Sequence, residues 1–266
     1  MKKKAVSVAL GDISNAVARH SLVRMLGWQD LRQRYRRSAL GPFWLTISMG
    51  VMIGTIGVVF GQIFKAAMAE FLPFLAVGMI LWTFISTVIG EGCTGFIAAE
   101  GIIKQLPIPL FVHIMRLVWR NILILAHNIV ILPFVFFAVS KSVGWVALYT
   151  VPGFLLLVMN LSWIALLLGV ICTRYRDLPQ IVTSVLQVVF YLTPIMWMPS
   201  LLPERSGQLV LTYNPFYHLL EVVRAPIMGQ VPEPVNWLVS AVLAVSGWIL
   251  VLVVYGRYKS RIAYWL

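Results

Sequence analysis

Six long stretches without a formally charged side chain decide what this sequence can fold into. The first begins directly after Arg37 and ends before Lys65, and five more follow at 71–90, 121–140, 142–173, 178–203 and 234–256. About 20 apolar residues are enough for a helix to cross a bilayer. We therefore predict a six-helix transmembrane domain over residues 38–257, with spans at about 40–64, 71–98, 111–140, 144–173, 178–199 and 234–256.

The composition agrees with an all-α integral membrane protein. Hydrophobic residues make up 60% of the chain and charged residues 11%, with a mean hydropathy of +0.89, whereas soluble domains carry about 25% charged residues. The net charge of +12 would suit nucleic acid, but the Lys and Arg residues stand at the ends of apolar stretches. That placement follows the positive-inside rule. We expect membrane lipids, and no nucleic acid, as partners.

The distribution of basic residues predicts the orientation. Six spans place both termini on one side of the membrane. Of the 21 Lys and Arg residues, 17 fall in the segments on that side, and the remaining four are Lys65, Lys141, Arg205 and Arg224. Both termini, including the tail 258–266, are therefore predicted to be cytoplasmic. The apolar run that ends before Asp12 is too short for a signal peptide, so no cleavage is expected.

Two segments outside the spans have helical patterns. Within residues 1–37, one face of a helix over 12–31 would carry Ile13, Ala16, Val17, Val23 and Leu31. This pattern predicts an amphipathic helix in the membrane interface, with a packed cytoplasmic helix as the alternative.

The second segment lies in the connection 204–230, between spans five and six. Asn214 and Pro215 predict a helix start, and Pro226 predicts its end. This helix is too apolar for a solvated loop and too short to cross. It predicts a re-entrant or interfacial helix buried against the bundle.

Charged residues near the span ends have two interpretations each. Arg116 and Arg120 share a helical face with His113 and His127; they reach the headgroups or face something anionic. Glu91 either reaches the interface or pairs with a basic group inside the bundle. Asp177 precedes Leu-Pro and is predicted to cap span five. The cysteines Cys93 and Cys172 lie far apart in apolar surroundings, so neither a disulfide nor a metal site is expected.

The chemistry that is missing is also informative. The sequence has no Gly-x-x-x-x-Gly-Lys-Ser/Thr loop for ATP, and its four histidines have no metal-ligand spacing. No Ser/His/Asp set or carboxylate pair falls in one predicted pocket, and no span has a charge at its centre. We therefore expect neither an enzyme nor an ion transporter, and no cofactor or metal in this chain.

Several motifs resemble those of a known family. They are Arg-x-Arg-Tyr-Arg-x-Ser-x-Leu-Gly-Pro-x-Trp at 32–44, Arg176-Asp177, Thr193-Pro194-Ile195, and Asn214-Pro215 with Arg224. Their order and spacing resemble the permease subunits of ABC polysaccharide exporters of the O-antigen, capsule and teichoic-acid type. The resemblance covers nearly the whole chain and is weakest in the first 25 residues. It implies a homodimeric inner-membrane permease, bound to two copies of an ATPase that uses ATP and Mg, which exports undecaprenyl-diphosphate-linked glycan.

Three groups of residues are candidates for that work. Aromatic faces can stack on sugars. We therefore expect a substrate channel or gate to be lined by Trp44, Tyr191, Trp197, Phe216 and Tyr217. The alternative is that these aromatics form an ordinary belt at the membrane interface. The candidates for binding the lipid diphosphate or headgroups are Arg32, Arg34, Arg36 and Arg37. The alternative is that these arginines only anchor the topology. The ATPase-coupling helix is predicted over Glu100–Leu106, with Glu100, Ile103, Lys104 and Gln105. A permease for small drugs or lipids is the alternative function.

Overall fold

The computed structural model describes residues 2–34, 36, 41, 43–65, 67–201 and 211–266, and over these the chain is helical with no strand. The helices are α1 Lys2–Ala18, α2 His20–Arg34, α3 Phe43–Ile63, α4 Met68–Thr94, α5 Glu100–Gln105, α6 Phe111–Ile129, α7 Ile131–Ala138, α8 Thr150–Arg174, α9 Leu178–Leu192, α10 Pro215–Ile227 and α11 Pro234–Trp265. Short 3₁₀ helices cover Ile97–Ala99, Trp145–Tyr149 and Pro199–Leu201.

Five of these segments are long and apolar enough to cross a membrane. They are Phe43–Ile63, Met68–Thr94, Phe111–Ala138, Trp145–Arg174 and Pro234–Trp265. The fifth predicted span, 178–199, is shorter than expected, because α9 has 15 residues and ends at Leu192. It rises about 22 Å, less than the roughly 30 Å of hydrocarbon. The described residues thus contain five helical segments long enough to span and two shorter apolar helices, Ala5–Ala18 and Leu178–Leu192.

The early end of α9 has a local cause. Thr193 is extended, with φ −92° and ψ 135°, as expected for a residue that precedes proline. Pro194 therefore ends the helix seven residues before the predicted limit at 199.

Helix α4 forms the centre of the bundle, since 17 of its 27 residues are buried. It lies closest to α8, where a Cβ on Gly92 would be 2.7 Å from the Ala165 Cα. Small residues allow such close approach of two membrane helices. The buried thiols of Cys93 and Cys172 lie within interaction distance of each other here. Although distant in sequence, the two free cysteines are therefore neighbours.

Helix α3 lies at the edge of the bundle. Its buried residues are Ile53, Gly57 and Gly61, and a Cβ on either of these glycines would collide with a side chain of α4. Gly50 and Gly54 face open space. Of these four glycines, only Gly57 and Gly61 therefore allow close helix packing within the chain.

The N-terminal segment forms two helices where one was predicted over 12–31. The helix is interrupted at Arg19, between α1 and α2. Ala16, Val23 and Leu31 are buried as expected, but Val17 is exposed, because the buried face of α1 follows Ala9, Asp12 and Ala16. Both helices pack on the bundle, α1 mainly on α11 and α2 on α6, in agreement with the alternative of a packed helix.

Both termini lie at the same end of the bundle. The Ala5 backbone fits against Gly256 of α11 so closely that a side chain at 256 would collide with the Ala5 carbonyl oxygen. We call this the terminal end and the other, which includes α10, the opposite end.

Candidate functional site

Asp12 connects three helices at the terminal end. Its carboxylate accepts hydrogen bonds from the backbone N–H groups of Leu110 (3.3 Å) and Phe111 (3.0 Å). The Tyr255 hydroxyl donates to it at 2.6 Å, and the Lys259 ammonium lies 2.7 Å away. Asp12 is 4% exposed. It therefore caps the start of α6 from a distant part of the chain and joins it to α1 and α11.

A ladder of ion pairs lies between α2, α4 and α6. Asp30 accepts from the Arg116 guanidinium and from Arg120 at 3.2 Å. Arg120 also donates to Glu91 at 2.6 Å, and Asn121 donates to the same carboxylate at 2.5 Å. The anionic partners of Arg116 and Arg120 are thus Asp30 and Glu91 of the same chain. Glu91 therefore pairs with a basic group inside the bundle, which is one of the two interpretations given above.

The two histidines on the same face of α6, His113 and His127, form no ion pair within the described residues. His113 is buried, and neither ring nitrogen has a hydrogen-bond partner within the described residues. The His127 ring contacts Phe43 edge-on at 5.9 Å, and Thr46 donates to the His127 carbonyl. The start of α3 is therefore level with His127, seven residues and about 10 Å along the helix from Arg120. The ion pairs lie beyond that level, toward the terminal end.

The predicted coupling segment is a short exposed helix. α5 covers Glu100–Gln105, and the Leu106 N–H continues its pattern by donating to Ile102. No residue of α5 is buried, and Ile103 packs on the core from its half-exposed position. Its helical prediction is confirmed, while its partner stays a prediction.

Glu100 and Lys104 form an ion pair one turn apart on α5. The Lys104 ammonium donates to the Glu100 carboxylate at 2.6 Å and holds the pKa of that carboxyl below its usual range. The pair is therefore intact at neutral pH and is lost only as the pH falls into the acid range. A pair this exposed adds little stability.

Arg176, in the neighbouring 174–177 connection, also lowers the pKa of Glu100 through its charge. Its guanidinium lies 3.4 Å from the backbone oxygens of Trp265 and Leu266. Asp177 occupies the capping position of α9, but its side chain makes no capping hydrogen bond. The predicted capping role is therefore wrong, because the residue has helical backbone angles, φ −88° and ψ −24°.

The arginine motif is described in part. Arg32, in the last turns of α2, and Arg36, after it, are exposed. The Arg34 side chain and all of Arg37 lie outside the described residues. The diphosphate and anchor roles of the four arginines both stay predictions.

At the opposite end, α10 is tied to the end of α9. The Asn214 side-chain oxygen accepts from the N–H groups of Phe216 (3.0 Å) and Tyr217 (3.3 Å), so the predicted cap is confirmed. Its amide nitrogen donates to the Thr193 hydroxyl at 2.9 Å. α10 ends at Ile227, one residue past the predicted end, and most of its residues are buried.

Arg224 is the second tie between these segments. It is 1% exposed and donates to Glu221 through Nε (3.0 Å) and Nη2 (2.6 Å) and to the Pro194 carbonyl through Nη1 (2.5 Å). Its guanidinium also lies 4.1 Å above the Phe74 ring. Hydrogen bonds of a charged group contribute about 1.5–3 kcal/mol each. Thr193-Pro194, Asn214 and Arg224, which are distant motifs in the sequence, therefore form one joint.

Most of the aromatic candidates meet beside this joint. Tyr191 contacts Phe190, and Trp82 contacts both Phe190 and Phe216. The Trp197 indole donates to the Tyr191 carbonyl at 3.0 Å. Tyr191 is 70% exposed, whereas Phe216 is half-buried.

Two candidates stand apart from this aromatic group. Tyr217 lines a neighbouring polar cleft, described below. Trp44 is exposed near the first turn of α3, away from the opposite end. Whether any of these rings binds substrate stays a prediction.

The polar residues with the most contacts were not among the predicted site residues. No local pattern relates Asp12 to Phe111 or Tyr255, 99 and 243 residues away. Asp30 was not recognised as the partner of the arginines on α6 for the same reason. For Glu91 and Arg224 a signal existed, since an isolated charge next to an apolar segment needs a partner.

The spanning helices and the joint at α10 define a multi-pass membrane protein with irregular backbone at one end. A family model described as ABC-2 type transporter matches residues 21–228, well over half of the chain. The chain belongs to the ABC-2 type transporter family. It is therefore the membrane subunit of a transporter, located in the inner membrane, as the sequence predicted.

Individual relatives cover most of the chain. Two O-antigen export system permease proteins RfbA of Klebsiella pneumoniae are each 25% identical over 241 residues, which are 88% of this chain and 91% of theirs. An O-antigen export system permease protein RfbA of Myxococcus xanthus is 24% identical over 199 residues, 74% of this chain and 76% of its own.

Proposed function

We propose that this chain is the permease subunit of an ATP-driven exporter that moves lipid-linked polysaccharide, such as O antigen, across the bacterial inner membrane. Two copies form a homodimer, and two copies of a separate ATPase use ATP and Mg. The similarity to O-antigen export permeases over 88% of the chain supports this substrate class.

The observation that carries the proposal is the interruption of α9. This helix ends after about 22 Å, and the backbone then turns at Pro194, where the Ile195 N–H donates to the Thr193 carbonyl at 2.8 Å. Non-helical backbone at membrane depth is tolerated only where protein covers it or where it lines a water-filled cavity. Arg224 binds the Pro194 carbonyl here, and α10 covers the segment. The segment is thus covered by protein, and α10 forms a re-entrant element at the outer end of the glycan route.

The exposed faces of α3 and α9 suit a two-fold interface. Val51 and Val58 on α3 and Val185 and Val188 on α9 are each more than half exposed, and Gly54 faces open space. In the dimer α3 of one copy lies near α9 of the other, and the diphospholipid passes between them. Symmetric dimers are the commonest oligomers.

The terminal end suits an ATPase and the lipid diphosphate. α5 is exposed, and the chain after its C-terminal end runs through Pro107 and Pro109 to the start of α6, which Asp12 caps. A movement of α5 would therefore reach α1 and α11 through Asp12. The arginines at 32–37 lie just before α3, where guanidinium groups can bind phosphate oxygens bidentately.

An exporter of small drugs or lipids is the second candidate, and one cavity favours it. A space of about 250 Å³ between α4, α6, α8 and α10 is lined almost wholly by apolar side chains such as Leu81, Leu125 and Phe154. An acyl chain or an apolar drug would fit such a lining.

Deletion of the gene in its own host separates the two functions. Surface polysaccharide, lipid-linked glycan retained inside the cell, and sensitivity to apolar drugs are measured together. The proposal predicts loss of surface glycan and its accumulation inside, with restoration by the wild-type gene and by Asp177→Asn. Unchanged surface glycan with a gain in drug sensitivity would support the second candidate instead.

A further inference from the structure

A polar cleft of about 510 Å³ lies at the opposite end of the bundle. It is bounded by the start of α4, the second half of α10, the start of α11 and the segment 198–200. Its volume falls within the roughly 300–1,000 Å³ of ligand-binding pockets. No role in the proposed route requires this cleft, although Tyr217 lines it.

The charge of the cleft differs from that of the chain. Glu70, Glu221 and Glu233 line it, which are three of the nine acidic residues in the sequence. Lys141 and Arg224 are the basic residues among its described lining, so its formal charge is 2 − 3 = −1. The chain as a whole carries +12. Acidic groups are therefore concentrated at this place.

One part of the cleft is rigid. Arg224 is held by Glu221 and the Pro194 carbonyl, and its buried guanidinium packs on the Phe74 ring. This arrangement fixes the Glu221 carboxylate and the neighbouring turn of α10. A ligand would meet these groups already in place, which reduces the entropy lost on binding.

Other polar groups line the same cleft. Asn236 is 2% exposed, and its amide is paired with the His218 ring at 2.6 Å. Within the described residues, neither the Lys141 ammonium nor the Tyr217 hydroxyl is hydrogen-bonded to another side chain. The cleft thus presents donors and carboxylate acceptors to whatever enters it.

The chemistry of these groups fits a sugar. Carboxylates accept hydrogen bonds from hydroxyl groups, amide and ammonium groups donate to hydroxyl oxygens, and the Tyr217 ring offers an apolar face. The net negative charge opposes phosphate and carboxylate ligands. A metal ion is disfavoured, because the described residues contain no group of three His, Cys, Asp or Glu side chains that could hold one.

We propose that this cleft binds saccharide units that are uncharged or carry an amino group, and that it excludes acidic sugars and the lipid diphosphate. The inference rests on the proposed function, because it makes the glycan under export the ligand. It narrows the substrate class to neutral or amino-sugar glycans.

Binding of three trisaccharides to the purified permease–ATPase complex tests this. The probes are maltotriose, a chitotriose of glucosamine units with free amino groups, and trigalacturonate, each measured by saturation-transfer NMR and titration. Maltotriose and chitotriose should bind and trigalacturonate should not. Glu70→Gln with Glu233→Gln should weaken chitotriose binding by roughly tenfold for each charge removed near the ligand and leave maltotriose less affected. Asp177→Asn, a carboxylate lost at the terminal end, is the matched control.

The outcomes separate this inference from the proposed function. Equal binding of trigalacturonate, or binding that the cleft variants and the control leave unchanged, would overturn the cleft as a site and reduce it to a hydrated vestibule. ATP-dependent glycan transport is measured on the same complex. Glycan transport without cleft-dependent binding would support the proposed function and refute the cleft as a binding site. Cleft-dependent binding without glycan transport would support the binding site and refute the proposed function.

Discussion

Asp12 shows how a single side chain can connect parts of this chain that the sequence keeps apart. It is buried and has four partners on two other helices and the turn before α6. A carboxylate in such a place stabilises the fold only while all its donors are satisfied. The same principle applies to Arg224 at the opposite end.

Asp12→Ala should therefore destabilise the protein. It leaves two backbone N–H groups and the Tyr255 hydroxyl unpaired, and it isolates the Lys259 ammonium. We expect a loss of about 3 kcal/mol, as is typical when one partner of a buried ion pair is removed. Thermal unfolding of the purified complex measures it. Tyr255→Phe should cost only about 1 kcal/mol, and a melting temperature equal to wild type in both variants would contradict the role of Asp12.

The arginines at 32–37 permit a test of charge against geometry. Lysine keeps the positive charge but cannot form the bidentate contact of a guanidinium with phosphate. If one pair of arginines binds the lipid diphosphate, changing Arg32, Arg34, Arg36 and Arg37 together to lysine should strongly reduce glycan export while the protein still inserts in the correct orientation. Surface glycan and membrane level are measured in parallel. Full export in the fourfold variant would leave only the topology anchor.

At the scale of elements, the sequence predicted those that local rules specify. The spans α3, α4 and α11 follow from uncharged runs, and the start of α10 follows from Asn214-Pro215. Local rules failed where a tertiary contact decides. Asp177 was predicted to cap α9 but makes no such bond, and the single N-terminal helix became two.

The short helix α5 is expected to bind the ATPase. Cysteines at Ile103 and Gln105 should crosslink to it, because α5 is exposed at the terminal end and close to the start of α6. The crosslinked product is detected by mass on a denaturing gel. Leu148→Cys, exposed at the opposite end, is the control. Crosslinks from residues 174–177 but from none of 100–109 would show that the other connection is the docking element.

At the scale of the whole molecule, the candidate site could be predicted only in pieces. The sequence gives the motifs at 193–195, at 214–215 and at Arg224, and their meeting in one joint depends on how α9, α10 and α4 pack. The polar cleft was not predicted at all, because its carboxylates come from three separate segments. No periodicity relates Glu70 to Glu233.

The dimer can be tested by crosslinking between copies. Gly54→Cys in one tagged copy and Val185→Cys in another should form an intermolecular disulfide in membranes, since both positions lie on exposed faces of the proposed interface. The native Cys93 and Cys172 are buried and should not compete. Val245→Cys, on an exposed face of α11, is the matched control. Crosslinking of the control pair in preference to the α3–α9 pair would refute this interface.

Transport by the purified complex tests the central claim most directly. The permease and its ATPase are reconstituted in liposomes with a lipid-linked oligosaccharide, and the appearance of the glycan on the far side is followed with a lectin that cannot cross the bilayer. We predict that the lectin detects the glycan only when ATP and Mg are supplied, and that an apolar dye is not moved. ATP-dependent movement of the dye or of phospholipid, with the glycan left in place, would contradict the assignment as a polysaccharide exporter.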